Sequence, residues 1–117
     1  MLKFPAAVLA TFIFVTAAWA SPEGEYSVEG TSPGGSGKYT GQVTVAKTGD
    51  TFRVTWLVGG TTFMGTGIGN KDSIAVSYMS DDGKTGLAFY GSDGGDWSGV
   101  WTYSGGNQMG AEVWTRK

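Results

Sequence analysis

The chain has no histidine and no cysteine among its 117 residues. Without histidine it can form neither a Ser-His-Asp triad nor a histidine acid/base pair or metal site. Without cysteine it has no thiol nucleophile, no zinc–thiolate site and no disulfide. Because disulfides are excluded, the fold must be held by packing and by sheet hydrogen bonds. Carboxylate or lysine chemistry is the remaining route to catalysis.

Basic residues are also scarce. Lys3 is the only charged residue in the first twenty positions, so the rest of the chain carries seven basic and ten acidic residues. Nucleic acids and anionic lipids are bound by clustered Lys and Arg. We therefore expect no nucleic-acid partner.

The one long apolar run lies at the N-terminus. Lys3 precedes the almost wholly apolar residues 4–15, and Ala18-Trp19-Ala20 has small residues at the two positions that a signal peptidase reads. The run is shorter than the roughly 20 residues that span a bilayer, which favours a cleaved signal over a membrane anchor. We expect residues 1–20 to be a signal peptide and residues 21–117 to form one domain, periplasmic or extracellular, without a membrane span.

Glycine and short polar clusters divide the remaining chain into eight runs with alternating apolar character. The predicted strands are Glu25–Gly30, Lys38–Lys47, Thr51–Val58, Thr61–Gly67, Asp72–Ser80, Lys84–Gly91, Asp96–Ser104 and Gln108–Arg116. Most connectors are short and rich in residues that accept positive φ, as tight hairpins require. The longer connector, residues 31–37, is rich in glycine and serine and is either a mobile lid or a flexible crossing.

Alternation with a period of two assigns one face of each strand to the interior. The predicted inward residues include Tyr26, Val28, Tyr39, Val43, Val45, Phe52, Val54, Trp56, Phe63, Ile74, Val76, Tyr78, Leu87, Phe89, Trp97, Trp101, Tyr103, Met109, Ala111 and Val113. The opposite face is mainly Thr, Ser and other polar residues, so the sheet must curl to cover its apolar face. We expect an all-β domain, a single antiparallel eight-stranded meander β-barrel.

A motif of an aromatic residue, one spacer and glycine recurs at Tyr39–Gly41, Phe63–Gly65 and Trp97–Gly99. A ring followed two residues later by glycine on the same face leaves room for a ring from the neighbouring strand and allows the strand to bend. The spacing between the three occurrences is unequal, which argues against a tandem array such as MORN repeats. The motif therefore indicates a closed and bent sheet.

Several of these runs together resemble a family of small exported bacterial proteins that often carry the label fibronectin-binding protein. The resemblance rests on Tyr26-Ser27-Val28-Glu29-Gly30-Thr31, Tyr39-Thr40-Gly41-Gln42-Val43, Gly49-Asp50-Thr51-Phe52-Arg53-Val54-Thr55-Trp56, Phe63-Met64-Gly65-Thr66-Gly67-Ile68 and Trp97-Ser98-Gly99-Val100-Trp101. It implies a non-enzymatic binding protein whose partner is a host or extracellular protein such as fibronectin. In architecture the chain resembles avidin-like and lipocalin-like barrels, a likeness of fold that carries no ligand with it.

The aromatic residues are the candidate ligand-binding residues. We expect Trp56, Tyr78, Trp97 and Trp101 to point into the barrel, where they either line a pocket for a small apolar ligand or fill the interior. The first alternative makes the protein a small-ligand carrier. Outward-facing Trp114 and Met64 are instead candidate contacts for a protein partner.

Two charged residues, Arg53 and Glu112, lie in the middle of predicted strands. The alternation of inward and outward residues along each strand places both on the solvent face. The clusters at residues 81–83 and 92–96 lack the pattern of a calcium-binding loop and are typical of turns. We therefore expect no catalytic residue, no metal and no cofactor. The strands are mostly too short for an outer-membrane barrel, and their polar face is rich in Thr and Ser, which favours a soluble domain.

Overall fold

The computed structural model describes residues 21–117. Its elements are β1 (Gly24–Thr31), a 3₁₀ turn (Pro33–Gly35), β2 (Lys38–Thr48), β3 (Thr51–Val58), β4 (Thr61–Gly69), β5 (Ser73–Ser80), β6 (Thr85–Asp93), β7 (Asp96–Tyr103) and β8 (Gly110–Arg116). All eight predicted strands are present, with bounds that differ by one or two residues at most. The predicted signal peptide lies outside the described residues and stays a prediction.

The eight strands form a closed antiparallel barrel in sequence order. Each strand pairs with the next, and β8 pairs with β1 in the register Tyr26↔Arg116 to Thr31↔Ala111. Closure leaves no strand edge unpaired, which protects a sheet from edge-to-edge association. Gly49 and Gly60 adopt positive φ at the hairpin turns, at 59° and 80°. The prediction of a closed meander barrel is confirmed.

One half of the barrel interior is solidly packed. Trp97, Trp114, Tyr26 and Ile74 are almost fully buried there, and aliphatic side chains complete the layer. Arg116 lies over the ring of Tyr26 at 4.8 Å, and its guanidinium donates to backbone oxygens of residues 21, 23 and 95. We call this half the closed end, because the N-terminal residues of the domain and Arg116 cover it.

The predicted faces of β6 and β8 are wrong. Leu87 and Phe89 lie on the outer surface, and so do Met109, Ala111 and Val113. The inward residues of β6 are Gly86, Ala88 and Tyr90, and those of β8 are Gly110, Glu112 and Trp114.

Two physical reasons explain the error. Small inward residues on β6 and β8 leave room for rings from the neighbouring strands, so apolar size does not mark the inner face there. Glu112 finds hydrogen-bond donors inside the barrel, which compensates for its burial. The predicted solvent exposure of Glu112 and the outward position of Trp114 are therefore wrong, whereas Arg53 is exposed as predicted.

Candidate functional site

The other half of the barrel holds an open cavity of about 280 Å³. It lies where the odd-numbered strands end and the even-numbered strands begin, and we call it the open-end cavity. Its lining residues are Ser32, Tyr39, Trp56, Val58, Phe63, Tyr78, Ala88, Tyr90, Trp101, Tyr103 and Glu112. A cavity of roughly 150 Å³ accommodates benzene, so this one has room for a molecule with one or two rings.

Rings in the cavity wall lie against glycines of the adjacent strands. Tyr39, Tyr78, Tyr90 and Trp101 are directly paired across the sheet with Gly30, Gly86, Gly99 and Gly110. A β-carbon on any of these four glycines would collide with the paired aromatic side chain. At Gly65 an added β-carbon would meet Val76 at 2.6 Å and the backbone oxygen of Ser77 at 2.8 Å, with the indole of Trp56 farther away at 3.3 Å. The predicted role of glycine as space for a neighbouring ring is therefore confirmed at Gly99, while Gly41 and Gly65 lie closest to the aliphatic side chains of Val58 and Val76 and to backbone oxygens.

The rings contact one another edge to face. Tyr78 is the centre of this arrangement, with ring centroids 5.9 Å from Trp56, 6.0 Å from Phe63 and 6.4 Å from Trp101. Tyr39 and Trp101 meet at 6.1 Å with an interplanar angle of 72°. Edge-to-face packing of this kind fixes ring orientation as well as burying area. The cavity wall is thus held in shape by its own aromatic contacts.

Glu112 is the one charged residue in the wall of the open-end cavity, and it is 5% exposed. Its Oε1 accepts hydrogen bonds from the indole nitrogens of Trp56 at 3.0 Å and Trp114 at 2.8 Å. The same oxygen accepts from the hydroxyl of Tyr90 at 2.7 Å, and Oε2 accepts from the hydroxyl of Tyr39 at 2.5 Å. An ionised carboxyl group is an acceptor only, so four donors around it match the charged form.

Burial and the carboxylate act together on the tyrosines of this network. Burial, reinforced by the negative charge of Glu112, raises the pKa of Tyr39 and of Tyr90 well above the usual value. Burial also raises the pKa of Tyr78 to about 12, with smaller contributions from Tyr103 and Glu112. These hydroxyls therefore remain protonated and able to donate throughout the neutral range.

No basic side chain of residues 21–117 pairs with this carboxylate. The one ion pair within 4 Å among these residues joins Lys71 and Asp72 on the surface. Arg116 is engaged at the closed end, where it donates to the hydroxyl of Tyr26. Glu112 is thus solvated by neutral donors alone.

Trp101 contributes a second unusual feature. Its indole nitrogen is buried and has no hydrogen-bond partner in the described part of the chain. A buried donor without an acceptor costs about 1–3 kcal/mol, so such groups are rare. The nitrogen lies against Gly110 of β8, where an added β-carbon would be 2.7 Å away from it.

Three of the four predicted site residues meet at the cavity: Trp56, Tyr78 and Trp101. Trp97 does not border the cavity and lies at the closed end, paired in register with Trp114. The predicted set lacks Tyr90 and Glu112, because the predicted faces of β6 and β8 are inverted. The run Gly110-Ala111-Glu112-Val113-Trp114 has the glycine and ring alternation of an inward face, and that signal could have found them.

The connector after β1 lies beside the opening. Its 3₁₀ turn is closed by a hydrogen bond from the Gly35 nitrogen to the Ser32 oxygen at 2.9 Å. The Gly34 nitrogen approaches the Met109 oxygen at 3.4 Å, which places the turn against the start of β8. Ser32 lines the cavity. The connector predicted as a lid or a flexible crossing is therefore next to the cavity mouth.

Two further properties are those of residues 21–117. These residues contain no group of three or more acidic side chains placed to hold a metal ion. They also contain no helix of the length and apolar character needed to cross a bilayer.

Comparison with known proteins gives a fold relationship. No protein-family model matches the sequence, and a search of curated protein sequences finds no match. Among solved structures the chain is similar to a de novo designed fluorescence-activating β-barrel, with 15% sequence identity and a TM-score of 0.63. The match covers 86% of this chain and 97% of the designed one. At this identity the similarity shows the β-barrel fold alone.

Proposed function

We propose that the protein binds a small, mostly apolar molecule with one or two rings in the open-end cavity, and that it does so without catalysing a reaction. The observation that carries this proposal is the division of the barrel interior. The closed end is packed to full burial, whereas rings line an open space of about 280 Å³ at the other end. A ring-lined concave site with a few polar groups is typical of small-molecule binding.

The indole N–H signals of the tryptophans test this proposal by nuclear magnetic resonance. We expect 2-phenylethanol or benzyl alcohol to shift the signals of Trp56 and Trp101, which border the cavity, and to leave that of Trp97 in place. Trp97 serves as the internal control because it is buried at the closed end. Equal shifts at all three positions, or none, would contradict binding in the cavity.

A cavity-filling substitution gives an independent test. Ala88 is buried and lines the cavity, so Ala88→Leu adds bulk where the ligand is expected. We expect affinity for 2-phenylethanol to fall at least tenfold while the fold is kept, because the added methyl groups enter open space rather than a packed core. Ala46→Leu is the matched control, since Ala46 is exposed on β2. Unchanged affinity in Ala88→Leu would place the ligand elsewhere.

A protein partner is the second candidate function, and an apolar row on the outer surface supports it. Ile68, Ala75, Phe89, Val100 and Ala111 are aligned in register across β4 to β8. Ile68 and Phe89 are 65% and 55% exposed. Exposed apolar patches are typical of protein contacts.

The partner implied by the family resemblance is fibronectin. Surface plasmon resonance of the purified protein over immobilised fibronectin tests it, with Phe89→Ser as the weakened variant and Arg53→Ser as the exposed control. No binding at micromolar protein would remove this candidate. Export to a periplasm or to the extracellular space belongs to the same proposal. It is tested by mass spectrometry of the mature N-terminus, which is expected at Ser21.

A further inference from the structure

The charge of Glu112 has no counterpart inside the barrel. Its four hydrogen-bond donors are two tyrosine hydroxyls and two indole nitrogens, all of them neutral. Hydrogen bonds of this kind reduce the cost of burying a carboxylate, but they leave its net charge in place. Glutamine would supply the same acceptor oxygen for three of the donors without that charge.

The carboxylate also has an accepting position that no donor of residues 21–117 fills. A carboxylate offers about four lone-pair sites, two on each oxygen. Three donors already crowd Oε1, whereas Oε2 of Glu112 accepts one hydrogen bond, from Tyr39. Because both residues line the cavity, a donor on a bound molecule can reach this oxygen.

The remaining wall suits a positive charge. Tyr39, Trp56, Phe63, Tyr78 and Trp101 surround the space with ring faces and edges. Aromatic faces attract organic cations, because the negative face of the ring faces the positive charge. The chain as a whole is also negative, with a net charge of −2, which favours the approach of a cation.

We propose that the ligand of the open-end cavity is a small organic monocation, a protonated amine or ammonium group carried on a ring-bearing apolar body. The cationic group lies against Oε2 of Glu112, and the ring lies among the aromatic side chains of the wall. This inference rests on the proposed small-molecule function and adds the chemical class of the ligand.

Three probes of nearly equal size and different charge test the proposal on the unmodified chain. They are 2-phenylethylamine, which is protonated at pH 7 as a lysine amine is, the neutral 2-phenylethanol, and the anionic phenylacetate. Isothermal titration calorimetry at pH 7 should give at least tenfold tighter binding for the amine than for the alcohol. Phenylacetate should not bind, because its carboxylate would lie next to the carboxylate of Glu112, and two like charges at that distance repel each other.

Glu112→Gln isolates the charge. The amide oxygen can accept from Trp56, Tyr90 and Trp114, and the amide nitrogen can donate to the hydroxyl of Tyr39, so the network is retained. We expect the preference for 2-phenylethylamine over 2-phenylethanol to fall from at least tenfold to within twofold, because the charge that separates the two probes is gone. Glu29→Gln removes the same charge from the outer surface of β1 and should change neither affinity.

The outcomes separate the two proposals. If the alcohol and the amine bind with equal affinity and Glu112→Gln changes neither affinity, the cavity binds ring-bearing molecules but the proposal that it prefers cations is wrong. Tighter binding of phenylacetate than of the amine would overturn the preference as well. If none of the three probes binds at millimolar concentration, both proposals fail. Should Glu112→Gln not fold, the three probes on the unmodified chain decide the question alone.

Discussion

Removal of the Glu112 side chain should destabilise the protein strongly, whereas conversion to glutamine should not. In Glu112→Ala the donors of Trp56, Tyr90 and Trp114 lose a common acceptor in a buried setting. Each buried donor without a partner costs about 1–3 kcal/mol, so three of them cost about 3–9 kcal/mol. The variant no longer carries the desolvation cost of the carboxylate, which offsets several kcal/mol. We therefore expect a net loss of about 3 kcal/mol.

Such a loss is large beside the roughly 5–15 kcal/mol that stabilises a small domain. With an m-value of about 1–2 kcal/mol/M in urea, it lowers the unfolding midpoint by roughly 1.5–3 M. The assay is urea unfolding followed by tryptophan fluorescence and by far-ultraviolet circular dichroism. Glu112→Gln should lose less than about 1 kcal/mol, because the amide supplies an acceptor for the three buried donors.

Glu29→Ala is the control for this experiment, since an exposed carboxylate on β1 should contribute no more than about 0.5 kcal/mol. If Glu112→Ala unfolds at the same urea concentration as the unmodified protein, the buried donors do not depend on Glu112 and the described network is wrong. Equal destabilisation by Ala and Gln would show that the charge, rather than the acceptor atoms, holds the network together.

Three more predictions concern the same interior. The pKa values of Tyr78 and Tyr90 in the folded state are raised above the usual value of 10.0, so both protonated hydroxyls contribute fully to the free energy of unfolding below pH 10. Above pH 10 this contribution is lost by about 1.4 kcal/mol per pH unit for each tyrosine. An unchanged urea midpoint between pH 9 and pH 11 would disprove this. Gly99→Ala should cost about 1–3 kcal/mol in urea unfolding, because its β-carbon would collide with the backbone oxygen of Phe89 and lie 2.5 Å from the ring of Tyr90. Trp114→Phe should cost about 2 kcal/mol more than Trp101→Phe, because Trp114 loses a hydrogen bond to a carboxylate whereas the Trp101 nitrogen has no partner to lose; similar thermal unfolding temperatures for the two variants would contradict that difference.

The barrel itself could be predicted from local signals in the sequence. Alternation with a period of two gave all eight strands, and glycines that accept positive φ, such as Gly49 and Gly60, marked the hairpins. Short hairpins bring consecutive strands together, and a sheet with one apolar face closes to cover it. These features depend on neighbours in sequence, which is why the strand order could be derived without a structure.

The site could be predicted only in part, because its parts meet after closure. The four donors to Glu112 come from β2, β3, β6 and β8, and no local pattern shows that they converge on one carboxylate. On β6 the larger apolar residues Leu87 and Phe89 lie outside, while Gly86 and Ala88 lie inside next to rings from other strands. A choice of face by apolar size therefore fails where glycine makes room for a distant ring.

Whether an aromatic residue fills the barrel or lines a space depends on where it lies along the barrel axis. Trp97 and Trp101 lie on the same strand and the same face, yet the first is packed at the closed end and the second borders the cavity. The alternation along the sequence predicts that both residues point inward, and it does not distinguish them further. Their different positions along the barrel axis, and the packing around each, decide which of them can touch a ligand.

A crystal structure of the protein grown with 2-phenylethylamine tests the central claim most directly. We predict the amine nitrogen at about 3 Å from Oε2 of Glu112, within hydrogen-bond distance, and the phenyl ring among Tyr39, Tyr78 and Trp101. An open-end cavity closed by its own aromatic side chains, with Glu112 turned toward solvent or paired with a basic residue of the chain, would contradict the account.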